Sequence, residues 1–275
     1  ASLFRFRGGR SDEAIARLGY YVAFVALLPC PVMLILDLGS PLRFWHMMWN
    51  TTPGDPGLNF KWWTPMSVGV WALLVYGAFA TVSFAEALAR DRGWRAARLL
   101  DGILGKVITV VGAGLGLFIA GYTGVLLSVS NQPVWSDTWA LGGLFLASGL
   151  SGSAALLLFL LRYRRTAQAS AGPLTASEGW YAILELAMIV VFALTLVPAG
   201  VFDAAFGFPW ILLWLVALVG LLPGIGGLLT SRLAVTPEGV AMPVHTVPAA
   251  SSVVIPMAVL LGVLALRAAV IFSIQ

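Results

Sequence analysis

Charge, cysteine and histidine are all scarce in this chain of 275 residues. Charged residues make up 10% of it and hydrophobic residues 60%, against about 25% charged in an ordinary globular domain. That balance excludes a soluble fold and predicts an all-α polytopic membrane protein. Cys30 is the single cysteine, which excludes an internal disulfide and a four-thiolate iron–sulfur site within the chain; it reads as a core residue. The two histidines, His46 and His245, fall in loops on opposite faces and cannot ligate one haem together, so a di-haem anchor is excluded. Neither metal-ligand spacing nor a nucleophile triad is present. Gly112-Ala-Gly-Leu-Gly116 follows no strand and lies inside an apolar run, so it is no dinucleotide fingerprint. No haem or metal is therefore expected in this chain.

Long apolar runs are plentiful. Seven reach the roughly 20 residues that a membrane helix needs: 14–36, 64–87, 103–129, 138–161, 178–200, 208–230 and 250–274. In lipid only a helix satisfies the backbone of such a run. The expectation is one integral membrane domain over residues 1–275 with short loops. Its basic surplus, 16 Lys+Arg against 12 Asp+Glu, is read as membrane orientation and lipid contact rather than nucleic-acid binding. Arg5, Arg7, Arg10, Arg17, Arg90, Arg92, Arg95, Arg98, Lys106, Arg162, Arg164, Arg165 and Arg232 fall on one side. Arg43 and Lys61 fall on the other, and Arg267 lies within the last run. The positive-inside rule places the first set, with Ala1, in the cytoplasm and Gln275 on the outer face. Because the chain opens on Ala inside, a secretory signal peptide does not explain its start. An upstream helix, giving eight spans with outer termini, is expected; removal of an initiator Met is the alternative.

Ionisable groups inside a membrane mark function by default. Arg267 lies about eight residues, or ~12 Å, from the outer end of its run, and Tyr122 about seven residues from the outer end of its own. With Asp37, Arg43 and His46, they make an outer-leaflet set drawn from three spans. Glu185 is expected ~10 Å from the cytoplasmic end of its span. Glu86 and Asp101 read as helix-end charges, and Lys106 as a snorkelling residue. Small residues surround Tyr122 in Gly121-Tyr-Thr-Gly124, which favours close helix packing. Arg267 leaves two readings open, a structural bridge to Asp37 or a water-filled path. Pro223 is expected to kink its helix. The outer loops are rich in tryptophan (Trp45, Trp49, Trp62, Trp63, Trp135, Trp139), part aromatic belt and part docking surface.

Four motifs in register carry a resemblance over essentially the whole chain. They are Asp37-Leu-Gly-Ser-Pro-Leu-Arg43, Thr64-Pro-Met-Ser67 with Gly69 and Trp71, Gly121-Tyr-Thr-Gly-Val-Leu-Leu127 with Asn131-Gln-Pro-Val-Trp135, and Leu266-Arg267 in the last span. Together they resemble the NrfD/polysulfide-reductase membrane-subunit family (PsrC-like). That resemblance implies eight spans in two four-helix bundles, the first of them missing upstream of Ala1. It also implies a quinone (menaquinone or ubiquinone) in the outer half of the first bundle. The implied partners are an extrinsic iron–sulfur subunit and a catalytic subunit, molybdopterin-dependent or multihaem, in a bacterial cytoplasmic membrane. Tyr122 matches the family's quinone-contacting tyrosine. Ser40 departs from the basic residue common at that point of the turn, leaving Arg43 as its only base.

The function expected from this is a subunit that oxidises or reduces quinone near the outer face and exchanges electrons with the iron–sulfur partner, with proton translocation as an option. Tyr122, Arg43 and His46 are the candidate quinone contacts; Asp37, Glu185 and Arg267 are the candidate proton groups. Two other classes stay open. A secondary transporter would show internal repeats and helices broken at the midplane, of which Pro223-Gly224 is one candidate without a mate. A ligand-free anchor for an extrinsic oxidoreductase would hold no quinone.

Overall fold

The computed structural model describes residues 1–54, 56–233 and 251–273; His245 and Gln275 lie outside them. The helices are α1 (Ser2–Arg7), α2 (Arg10–Leu27), α3 (Pro29–Leu36), α4 (Pro65–Asp91), α5 (Ile103–Ser128), α6 (Leu141–Leu161), α7 (Ala171–Ala199), α8 (Phe202–Phe206), α9 (Ile211–Leu233) and α10 (Ser251–Phe272). Among the described residues, seven stretches are long and apolar enough to cross a membrane: Arg10–Leu36, Pro65–Asp91, Ile103–Ser128, Leu141–Leu161, Ala171–Ala199, Ile211–Leu228 and Val253–Phe272. They coincide with the seven runs read from the sequence, and the chain is a multi-pass α-helical membrane protein.

Several boundaries differ from the expected ones for identifiable reasons. The first span is interrupted between α2 and α3, where Pro29 offers no backbone N–H and its ring opposes a continuous helix. α4 runs on to Asp91 because Ala85-Glu86-Ala87-Leu88-Ala89 are good helix formers, and the turn that ends it places Gly93 at φ 65°. α7 begins at Ala171, seven residues before the expected start. Pro173 falls in its first turn, where a missing N–H costs nothing.

The chain divides into two compact units, Ala1–Ile119 and Ala120–Gln275. In the first, α2 packs on α1 and α4. In the second, α6, α7, α9 and α10 surround a core that includes Leu144, Phe192, Leu196, Trp214 and Leu266. Apolar tails solvate apolar side chains, so helices in lipid associate through close backbone packing. α9 and α10 meet at Gly220 and Gly262, where a Cβ on Gly220 would stand 2.7 Å from the Gly262 Cα. Pro223 lies inside α9.

The loop between α3 and α4 is more ordered than its length suggests. A 3-10 turn (Pro41–Met47) leads into a two-residue antiparallel pair, β1 (Trp49–Asn50) with β2 (Gly57–Leu58). Asn59 fastens the pair: its side chain donates to the His46 carbonyl (3.0 Å), and its own carbonyl accepts from Trp71 Nε1 (3.2 Å). Trp71 and Ser67 of the α4 motif thus anchor the loop to the helix that follows it. Cys30 is a correction: it sits on the exposed face of α3, with Sγ 3.6 Å from the Ala26 carbonyl. On a membrane helix the exposed face is itself an apolar setting, so burial preferences from soluble proteins do not carry over.

Candidate functional site

The sequence-expected site residues lie in both units, and each unit is described by itself. In the first, α3 ends at Asp37, whose N–H donates to the Met33 carbonyl (3.0 Å) and whose carbonyl accepts from Gly39. Pro41 then starts the 3-10 turn that carries Arg43 and His46 one turn apart. The His46 Nδ1 lies 3.2 Å from the Arg43 carbonyl. A carbonyl only accepts, so the neutral ring donates from Nδ1 and keeps Nε2 as an acceptor. The ring is fixed further by stacking on Trp45, with centroids 3.8 Å apart. Asp37 and Arg43 are exposed, and among the described residues no ion pair joins them.

The other end of the first unit holds a charged network that the sequence reading assigned to separate helix ends. Glu86 is buried, and both of its oxygens accept hydrogen bonds from the Arg5 guanidinium, one at 2.6 Å. Arg90, one turn along α4, donates to the same carboxylate from Nε (3.1 Å) and Nη2 (2.9 Å), and reaches Asp101 at 2.5 Å. The bond to Glu86 holds the Arg5 guanidinium above its ordinary value, against the opposing effect of burial. Arg17 pairs with Asp91 at 3.3 Å, and Tyr21 donates to Asp91 at 2.6 Å. Together with Glu13 and Tyr20, Arg5, Arg17, Glu86 and Arg90 line a cavity of about 210 Å³. Lys106 is exposed in the first turn of α5.

In the second unit, Tyr122 is half-buried on α5, and its flanking glycines do what their size suggests. A Cβ at Gly121 would come 3.3 Å from the Gly142 carbonyl, and one at Gly124 would overlap the backbone of Leu141. The segment after α5 is pinned as well. Val134 is held at φ 68° with its N–H donating to Asp137 (3.0 Å), and Trp135 Nε1 donates to the Val270 carbonyl at 2.7 Å. Trp135 is therefore a packing residue rather than part of an aromatic belt.

Glu185 and Arg267 come together among α6, α7 and α10. Arg267 is half-buried and donates from Nη2 to the Phe145 carbonyl (3.2 Å) and Ser148 Oγ (3.4 Å), with its guanidinium 4.8 Å from the Phe145 ring centroid. Gly149 packs beside it: a Cβ there would stand 3.6 Å from Nη2, an ordinary contact. Glu185, only 1% exposed, interacts with the Arg267 charge, and its Oε2 has no hydrogen-bond partner. Ser151 Oγ, beside the Glu185 carboxyl, is fully buried and also unpartnered. The expected depth of Glu185 needs correction, because α7 starts at Ala171. Fourteen residues from that start, Glu185 lies ~21 Å along the helix, near its middle.

The earlier start also brings in a group that sequence reasoning missed. Glu178 stands at the start of the expected 178–200 run, yet it is inside α7, 2% exposed, with Oε1 unpartnered. Its carboxyl rests on the backbone of α9: a Cβ at Gly224 would lie 2.6 Å from one oxygen and closer to the other. The seven-residue spacing from Glu185 puts both on one face, a signal available once Pro173 is recognised as a first-turn proline.

The family model for polysulphide reductase, NrfD, matches residues 1–275, the whole chain. No protein among those of curated function matches it.

Proposed function

Because the chain belongs to the polysulphide reductase NrfD family, whose members are membrane subunits of multisubunit oxidoreductase complexes, we propose that it is the quinone-reacting subunit of such a complex. The whole-chain family match carries the reading. It operates in a bacterial cytoplasmic membrane, with the arginine-rich loops after α4 and α6 on the cytoplasmic side by the positive-inside rule. An extrinsic iron–sulfur subunit exchanges electrons with it on the opposite side. The exposed aromatic surface of the α3–α4 loop, which includes Trp45, Trp49, Trp62 and Trp63, supports docking there, since aromatic side chains are favoured at interfaces.

The donors present suit a quinone headgroup, which offers two carbonyl oxygens on an apolar ring. Tyr122 supplies a phenol from a half-buried position on α5. Arg43 and His46 supply a fixed charge and an imidazole from the exposed turn of the first unit. When bound, a quinone supplies two-electron, two-proton redox chemistry. Tyr122 would donate its O–H to a quinone oxygen and fix its orientation. Within the first unit, His46 would accept or return a proton at Nε2, with Asp37 and Arg43 as the charged groups flanking that turn. Glu185 and Arg267 serve proton movement within the second unit.

Tyr122→Phe tests the reading, since it keeps the ring and removes the donor. Quinol-coupled turnover of the assembled complex is expected to fall about tenfold or more, the size of one lost hydrogen bond to a developing charge. Unchanged turnover contradicts the assignment.

A further inference from the structure

Two buried carboxyls and one guanidinium follow one another inside the second unit, and their charges do not balance. Glu178 and Glu185 share one face of α7, and the Glu185 charge acts on Glu178. Glu185 meets Ser151 from α6 and the charge of Arg267 from α10, and Arg267 in turn donates to Ser148. From α9, the described contacts are the backbone at Gly224 and the Leu228 side chain beside Gly179. Glu178 Oε1, Glu185 Oε2 and Ser151 Oγ are all buried without partners. An ionised carboxylate in that condition is among the costliest groups a protein interior holds, and one guanidinium offsets only one of two.

We propose that Glu178, Glu185 and Arg267 form a one-proton store, in which a single exchangeable proton resides on one or other carboxyl and leaves the cluster neutral. Glu178 is the member nearer the start of α7, and its carboxyl occupies the space that a Cβ at Gly224 would take. Ser151 Oγ, beside Glu185, is placed to donate to that carboxyl when it is charged. Oxidation of a quinol releases two protons with two electrons, and a store of this kind accepts one of them and later returns it. That use rests on the quinone reading; the store itself does not.

Infrared spectra of the complex in native membranes test it, comparing wild type with Glu178→Gln, Glu185→Gln and Arg267→Gln. Wild type is expected to show the C=O stretch of one protonated carboxyl that disappears wholly in either glutamine variant, because one carboxyl then remains to offset the single positive charge of the cluster and ionises. Arg267→Gln should instead add a second such stretch, which keeps the idea testable if a glutamate variant fails to assemble. No stretch lost in either glutamine variant overturns the store. So does a two-carboxyl signal that each variant merely halves. Quinone extracted from the same membranes separates the two readings: quinone without the stretch removes the store alone, and the stretch without quinone removes the quinone reading alone.

Discussion

At the scale of single residues, two glycines two positions apart in α9 make opposite predictions. A Cβ at Gly224 collides with the Glu178 carboxyl, whereas one at Gly226 meets nothing within 4 Å. Gly224→Ala should therefore cost about 1–3 kcal/mol through overpacking. Gly226→Ala should be neutral or slightly stabilising through helix propensity. Thermal unfolding of both variants in one detergent checks the contrast, and equal midpoints would contradict it. Legibility at this scale was uneven. Glu185 and Arg267 stood out because charge deep in an apolar run is conspicuous. Glu178 did not, because a carboxylate beside the arginine-rich loop reads as a surface group until the helix start is known. The contact between Arg5 and Glu86 was hidden for another reason: it joins residues 81 positions apart, and a single sequence carries no signal for such pairing.

At the scale of elements, the seven spans were legible because length and apolarity alone decide whether a helix crosses lipid. Their ends were less so, since helix propensity and first-turn proline carry α4 and α7 beyond their apolar stretches. The union of α1 with α4 depends on the buried carboxylate of Glu86. Glu86→Ala strands Arg5 and Arg90, whose side chains remain 21% and 26% exposed. A fully buried pair broken in this way costs about 3–5 kcal/mol, and partial solvation of the arginines brings the expected loss to about 2–3 kcal/mol. A midpoint unchanged from wild type would show that the network contributes nothing. The α3–α4 loop makes a second element-scale prediction. Trp71→Phe removes the donor to the Asn59 carbonyl, worth about 1 kcal/mol. Limited proteolysis between β1 and β2 should then quicken while the rest of the chain keeps its resistance.

At the scale of the whole molecule, the chain divides into two compact units, a division that hydropathy does not register because every span is strongly apolar. Partners, too, leave only indirect traces in one chain: exposed tryptophans, an asymmetric distribution of arginine, and a tyrosine between glycines. The central claim is that this membrane subunit binds quinone and works beside an iron–sulfur protein. Native purification in mild detergent, with mass spectrometry of the subunits and assay of an organic extract for quinone, tests it most directly. The account predicts an iron–sulfur subunit co-purifying with the chain and quinone retained in the extract, with the retention reduced by Tyr122→Phe. A complex that holds its iron–sulfur partner but no quinone would make the chain a ligand-free anchor, and a solitary, quinone-free chain would contradict the account altogether.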